Sequence, residues 1–553
     1  MFHSMKGVLE QYLGGLSRRE LFRRGGLLAA APAFLRGPRA EAAPASGGLR
    51  VGADIYQSIG VRPLINCRGT LTVVGGSLEL PEVRATKDAA AQHFVQIDEL
   101  MEGIGNRLAE LTGAEWGMVA AGCAAALAHA TTACVTGGNP ELHVQVPNLA
   151  GFPKDEVVIP RHSRNEYDQA VRSVGVRIIE VADAAEYEAA LGPKVAMVYV
   201  FAGPRAETGP LPYDAIYGIA RKKNVPVLVD AAAEMLTVPN VHLQRGATLV
   251  GYSGGKCIRG PQCAGILLGR KDLVKAAWVS SAPHHGHGRT MKLGKEEAIG
   301  MLMAIEMWMK RDHNAEMALW ISWMNNIANR VGKIDGVTTA VREPRGLSNH
   351  SPGLSISWDA ARLRITGQEV AHILDTTEPR IVLGGGAGGG GGRGGRAGNQ
   401  TGISITAYMM SPGEDKIVGD RIYAILSASR PERKAEPPKA PAGDLTGRWD
   451  VRVEFAAGSA DEILHVKQQG NQIAGTHQGA FVTRDCSGTI AGDDVMISSN
   501  VGEVHGAALS YRFTGKLAGD TMSGVLDMGE YLGAKWTAKR HVFARPNQGG
   551  DVG

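Results

Sequence analysis

Lys256 ends the segment Thr248-Leu249-Val250-Gly251-Tyr252-Ser253-Gly254-Gly255-Lys256, a β-like run that closes in small residues and one amine. A lysine on a tight, partly desolvated loop is a nucleophile toward aldehydes, and the Ser-x-x-Lys step sets the Ser253 hydroxyl near a phosphate held beside it. Two other readings compete. Gly255-Lys256 looks like the end of a nucleotide P-loop, but Val250 stands where that motif needs its first glycine and Cys257 replaces the Ser/Thr. A surface lysine after a strand is the plain alternative. Asp230, 26 residues upstream, ends the apolar run Pro226-Val227-Leu228-Val229. A carboxylate at the end of a buried strand is costly unless paired, and a protonated pyridine nitrogen pairs it. Capping of a helix that begins at Ala231 is the other reading. A Schiff-base lysine and a carboxylate that keeps a pyridine nitrogen protonated are the two groups that pyridoxal 5'-phosphate (PLP) chemistry requires.

Two further elements complete a constellation. In Ala120-Ala121-Gly122-Cys123-Ala124-Ala125-Ala126-Leu127 a strand gives way to a helix through small residues. Free amides at a helix N-terminus bind phosphate, and small side chains permit close approach, so Gly122, Cys123 and Ala124 are candidates for a phosphate cradle. An ordinary strand-to-helix turn is the alternative. Pro160-Arg161-His162-Ser163 follows another strand, where His162 is the candidate to stack on the cofactor ring, against a surface histidine. Cradle, stacking residue, strand-end Asp, then lysine is the chain order of fold-type-I PLP enzymes. His284-His285-Gly286-His287 has no carboxylate at metal-ligand spacing and reads as a flexible rim, so no metal is expected.

The elements that position these residues alternate. From Leu49 to about Thr376, β-like runs (Gly117–Val119, Glu156–Ile159, Arg177–Val181, Val195–Phe201, Val225–Val229, Thr248–Tyr252, Ala264–Leu268) are separated by helical periodicity, as in Ile97–Leu111 and Tyr213–Lys223. This pattern predicts a largely parallel α/β sheet within a large domain over 45–334. Met303 to Ile334 reads as one continuous helix leading into a smaller lobe over 335–430, which contains a glycine-rich loop over 384–397. A linker over 431–441, rich in proline, lysine and alanine, precedes a module over 442–545. There, short alternating segments at Gly447–Val453, Ile463–Val466, Gln472–Gly475, Val495–Ile497, Tyr511–Phe513 and Ser523–Leu526 predict an antiparallel β-barrel or sandwich. No acid/base constellation is evident in that module. The fold class expected is therefore α/β, a fold-type-I (aminotransferase-like) PLP enzyme with a small C-terminal lobe and an appended β domain.

Residues 1–44 read as a twin-arginine (Tat) leader: Arg18-Arg19 precede Glu20-Leu21-Phe22, a modestly apolar run follows from Gly25 to Leu35, and Ala40-Glu41-Ala42 resembles a cleavage step. A basic amphipathic helix is the alternative. The apolar run is shorter than the ~20 residues a membrane span requires, so a periplasmic or exported location is expected, with no stable span. Apolar residues make up 44% and charged residues 21% of the 553, which excludes global disorder. The net charge of +4 comes from 59 basic and 55 acidic residues without an extended basic face, so nucleic acid is not an expected partner. The six cysteines lack CxxC spacing and read as free thiols.

With those motifs in place, the sequence resembles the selenocysteine synthase (L-seryl-tRNA selenium transferase)-like PLP enzymes, a group that includes D-glucosaminate-6-phosphate ammonia lyase. The stretches that carry the resemblance are Leu64–Thr70, Ala120–Leu127, Val229–Ala233, Ser253–Lys256 with Gly260-Pro261-Gln262, and Gly288–Glu296; it runs from about Ser58 to Ser429. The resemblance implies a homodimer or larger ring, Lys256 as the Schiff-base lysine, and Arg289 near the site. Arg380 lies where small-lobe arginines of the wider fold grip an α-carboxylate; a surface-paired arginine is the other reading. The expected function is a lyase that removes the Cα proton of an amino acid or amino-sugar acid and eliminates a β-substituent, releasing ammonia. Selenium or sulfur transfer, racemisation, transamination and an exported non-catalytic binding protein are the alternatives. Export argues against a tRNA substrate.

Overall fold

The β-like runs between Gly117 and Leu268 assemble into one seven-stranded sheet in the computed structural model, which describes residues 48–384, 400–431, 437–500 and 510–543. The leader, the glycine-rich run from residue 385 and part of the linker lie outside the described residues. Residues up to Arg62 form a unit of their own, whose described part holds a short 3-10 turn, Gln57–Ile59, and the exposed pair Arg50–Asp54.

From Pro63 onward, helix α1 (Ile97–Thr112) leads into β1 (Trp116–Ala120) and α2 (Gly122–Thr136). Gln96 caps α1 by accepting the Glu99 amide, and Gly113 ends it at φ +74°. The strands that follow are β2 (Glu156–Pro160), β3 (Arg177–Val181), β4 (Val195–Phe201), β5 (Val227–Asp230), β6 (Leu249–Ser253) and β7 (Gly265–Gly269). Their order across the sheet is β1-β7-β6-β5-β4-β2-β3, with only β7 antiparallel to its neighbours. Strands β4 and β5 are buried on both faces, which is why they read as unbroken apolar runs rather than alternations. The ends predicted from the sequence match these strands to within about two residues. Because β1, β4, β5 and β6 run the same way, Ala120, Phe201, Asp230 and Ser253 emerge along one edge, the carboxyl edge where ligands bind in such sheets.

The single helix expected from Met303 to Ile334 is two, α3 (Lys295–Lys310) and α4 (His313–Val331). The break is chemical: Arg311 is extended, its guanidinium is held by Glu316 and the Cys257 carbonyl, and Asp312 caps α4 by accepting the Ala315 amide. Helix α4 and α5 (Glu414–Ser427) pack with a three-stranded antiparallel sheet of β8 (Val337–Arg342), β9 (Gly353–Asp359) and β10 (Gln400–Thr406), in the order β10-β9-β8. Ile65–Cys67 pairs in parallel with Ile381–Leu383, tying the start of this body to its smaller lobe.

The C-terminal module is a closed antiparallel barrel: β11 (Gly447–Glu454), β12 (Ser459–Gln469), β13 (Gln472–Gln478), β14 (Thr483–Ala491), β15 (Asp494–Asn500), β16 (Ser510–Ala518), β17 (Thr521–Asp527) and β18 (Gly533–Arg540). Closure removes every sheet edge. Sequence patterning detects six of these strands and misses β14 and β18. In β14 the inward positions include Arg484 and Cys486, and in β18 two of the inward residues are Ala534 and Ala538, so neither shows a large apolar alternation.

Candidate active site

At the carboxyl edge of the sheet lies a cavity of about 590 Å³ whose walls include Gly122, Cys123, Ala124, Ser253 and Lys256. Lys256 follows β6 in a tight turn. Gly254 donates to the Ala264 carbonyl and accepts from Gly260, and Lys256 accepts from the Arg259 amide. A side chain on Gly254 would meet the Ala264 carbonyl oxygen at 2.7 Å, and one on Gly255 would meet the Gln262 backbone at 2.6 Å. Small residues before the lysine are thus a packing requirement, and they fix where the amine emerges.

Asp230 ends β5 with 2% of its surface exposed. Its Oδ2 accepts from the Tyr199 hydroxyl at 2.8 Å; its Oδ1 accepts from the Ala232 amide at 3.1 Å and from Cys123 Sγ at 3.6 Å. Burial pushes the carboxyl above its ordinary range, while the Tyr199 hydroxyl, the Ala232 amide and the Lys256 charge pull it back. Burial and the Asp230 charge together hold the thiol of Cys123 and the phenol of Tyr199 firmly protonated.

The helix α2 begins at Gly122, whose φ is +82°, and no side chain caps its first turn. A Cβ on Gly122 would meet no protein atom within 4 Å, although the residue lines the cavity, so it would occupy the space a ligand needs. Behind it, a Cβ on Gly265 would strike the Cys123 amide nitrogen at 2.7 Å. Open helix amides, a glycine cradle, a lysine and a buried carboxylate form the donor set that PLP requires, and they fit it: amides and Ser253 for the phosphate, Lys256 for the aldehyde carbon, Asp230 for the ring nitrogen.

Three expected residues stand elsewhere. His162 does not line the cavity: its Nε2 lies 3.1 Å from the Leu211 carbonyl and its Nδ1 3.1 Å from Ser163 Oγ. Tyr167, five positions on, lies on the cavity wall instead. Arg380 is ion-paired with Asp375, Nε to Oδ1 at 2.8 Å, and does not line the cavity. Arg289 is exposed in a 3-10 turn outside it. The cationic wall residue that the site residues named from sequence did not include is Arg68. Asn66 accepts the amides of Arg68 and Gly69 and donates to the Gly69 carbonyl, folding a turn that sets Arg68 to Thr72 along the cavity. That Asn-Cys-Arg-Gly-Thr turn was legible as a motif but carried no signal of its direction. His284 of the histidine run lies 3.1 Å from Asp98 and edge-on to Trp278.

No family model matches the chain. Over 299 residues it is 30% identical to D-glucosaminate-6-phosphate ammonia lyase from Salmonella typhimurium, which covers 52% of this chain and 78% of that protein. It is 33% identical over 300 residues to 5'-C-glycyluridine monooxygenase-decarboxylase from a Streptomyces species, covering 51% and 72%. With L-seryl-tRNA(Sec) selenium transferase from Moorella thermoacetica it shares 28% over 256 residues, covering 39% and 50%. The solved structure of a D-glucosaminate-6-phosphate ammonia-lyase superimposes with a TM-score of 0.58 at 27% identity, over 67% of this chain and 98% of that one.

Proposed function

This chain belongs to the selenocysteine synthase-like family of fold-type-I PLP enzymes that includes D-glucosaminate-6-phosphate ammonia lyase, and from that membership we propose that it is a lyase releasing ammonia from an amino acid or amino-sugar acid. The observation that carries the reading is that Lys256 and the Gly122 cradle line one cavity, with buried Asp230 directly behind its wall, bonded to the wall residues Cys123 and Ala232. PLP, when bound, supplies the electron sink for charge that develops at the substrate Cα.

The protein's own residues do the rest. Lys256 Nζ would hold the cofactor and, when free, would take the substrate Cα proton. Asp230, behind the cavity wall, would keep a proton on the ring nitrogen of the bound cofactor, and its bond from Tyr199 fixes the carboxylate orientation. Arg68 is placed to receive a substrate carboxylate, because it alone among the cavity-wall residues is an arginine. Tyr167, Phe201 and Tyr408 give the cavity aromatic walls that limit water, and the Tyr408 hydroxyl lies 3.0 Å from Thr70 Oγ. Loss of a β-hydroxyl or β-thiol, which leaves with a proton as water or hydrogen sulfide, gives an enamine whose imine tautomer takes up one water once released to solvent, yielding ammonia and a keto acid.

A screen of D- and L-amino acids and amino-sugar acids tests this reading by ammonia and keto-acid release. At least one member should yield both in equal amounts; perturbation of the visible absorbance by many amines without ammonia from any would refute it. The 33% identity with the Streptomyces enzyme favours one second reading, oxygen-dependent loss of the carboxylate, which the same substrates would reveal when oxygen uptake and carbon dioxide release are followed as well.

A further inference from the structure

A β-hydroxyl departs readily only if its oxygen receives a proton, because hydroxide is the conjugate base of an acid of pKa about 15.7. Lys256 is occupied with the Cα proton while that bond breaks, so a separate acid lets the Cβ–O bond break in the same step. Among the described residues the cavity wall holds no aspartate, glutamate or histidine, and the Cys123 thiol is turned to Asp230. It does hold two phenols, Tyr167 and Tyr408.

Their settings differ. Tyr167 is 49% exposed, whereas Tyr408, just beyond the end of β10, is 7% exposed and its oxygen lies 3.0 Å from Thr70 Oγ. These two hydroxyls carry two protons and share one hydrogen bond, so one proton of the pair is left for the cavity that both residues line. Thr70 belongs to the turn that Asn66 folds, and so does Arg68, which puts the pair beside the arginine placed to receive a substrate carboxylate. The ring is held in position: a Cβ on Gly69, whose φ is +97°, would lie 3.4 Å from Tyr408 Cε1, and the Trp320 ring meets it edge-on at 5.9 Å between centroids. Burial pushes the Tyr408 phenol up, so it stays protonated at neutral pH. A phenol is still a far stronger acid than water, which makes proton transfer to departing hydroxide favourable.

We propose that Tyr408, partnered by Thr70, is the acid that protonates the departing β-hydroxyl. The inference rests on the lyase reading above. As Lys256 Nζ takes the Cα proton, the electron pair of that bond ends in the Cα–Cβ double bond. The Cβ–O bond breaks with its pair on oxygen, which takes the Tyr408 proton and leaves as water, and the Thr70 hydroxyl donates to the phenolate that remains. Lys256 then holds one proton more and Tyr408 one fewer, and exchange with solvent after product release restores both.

Ammonia release by the cofactor-loaded protein is measured with β-hydroxy substrates, D- and L-serine and D-glucosaminate, and with D- and L-β-chloroalanine, whose chloride departs without a proton. Tyr408→Phe should slow release from the hydroxy substrates about 100-fold or more and leave β-chloroalanine within about threefold, whereas a merely structural role would move both alike. Binding supplies a readout free of turnover. In a Lys256→Ala background supplied with PLP, calorimetry should show serine held about threefold or more tightly than alanine, and Tyr408→Phe should erase that preference. Release from hydroxy substrates that Tyr408→Phe does not slow, the result if Lys256 returns the proton itself, would overturn the assignment. So would equal loss with both substrate classes and an unchanged preference for serine, or a hydroxyl-specific loss in Tyr167→Phe instead. Turnover of β-chloroalanine alone by the unaltered protein would overturn it while leaving the lyase reading intact; ammonia from none of these compounds would remove the lyase reading itself.

Discussion

At the scale of single residues, the site rests on charges held where water cannot reach them. Asp230 is raised by burial and restrained by three donors, so its proton affinity answers to whatever cation approaches it. Replacing it by Asn keeps the shape and removes the charge; Asp230→Asn should lower ammonia release by about 100-fold or more, with a rate near that of the unaltered protein as the contrary result. The two arginines separate the structural reading from the sequence expectation. Arg68→Gln should raise KM at least about 10-fold, whereas Arg380→Gln should leave KM within about twofold, since its guanidinium is already held by Asp375. Kinetics on both variants decide between them. The places of Lys256, Asp230 and Gly122 in the fold were legible because strand ends and tight turns show in the pattern of apolar and small residues. His162 and Arg68 were not, because a side chain's direction out of a turn depends on hydrogen bonds, such as those of Asn66, that no spacing announces.

At the scale of elements, α2 shows what a buried helix costs and what it permits. It carries small residues on every side, and His129 lies within it fully buried, its Nε2 without a partner among the described residues. Burial and the neighbouring His287 lower its pKa from 6.5 to about 4. Its folded value therefore lies below its unfolded one, so stability is full above pH 6.5 and lost as the pH falls toward 4, where only the unfolded chain takes up the proton. The expected loss is about 3 kcal/mol across that window. Denaturant unfolding of His129→Gln should show a shallower fall than the unaltered protein over the same range, and parallel curves would contradict the assignment. Strands were easier to locate than helix boundaries. Buried parallel strands declare themselves as short apolar runs bounded by turns, while Asp312 could be recognised as a cap only once Arg311 was seen drawn aside to Glu316.

At the scale of the whole molecule, a seven-stranded sheet, a smaller lobe and a closed barrel are joined in one chain; the sheet and the β module were legible as changes in hydrophobic period, and the smaller lobe from the helical stretch that leads into it. Closure of the barrel was not, because its missing strands carry alanines and polar residues inward. Among the described residues no helix is long and apolar enough to cross a membrane. The Arg18-Arg19 pattern predicts export of the folded chain: Arg18→Lys with Arg19→Lys should leave it in the cytoplasm by fractionation, and unchanged export would exclude the twin-arginine reading. Everything proposed for the chemistry depends on one bond. Reduction of the purified protein with borohydride, followed by peptide mass spectrometry, should place the phosphopyridoxyl group on Lys256 and nowhere else; its appearance on another lysine, or its absence from a protein that retains PLP absorbance, would contradict the account.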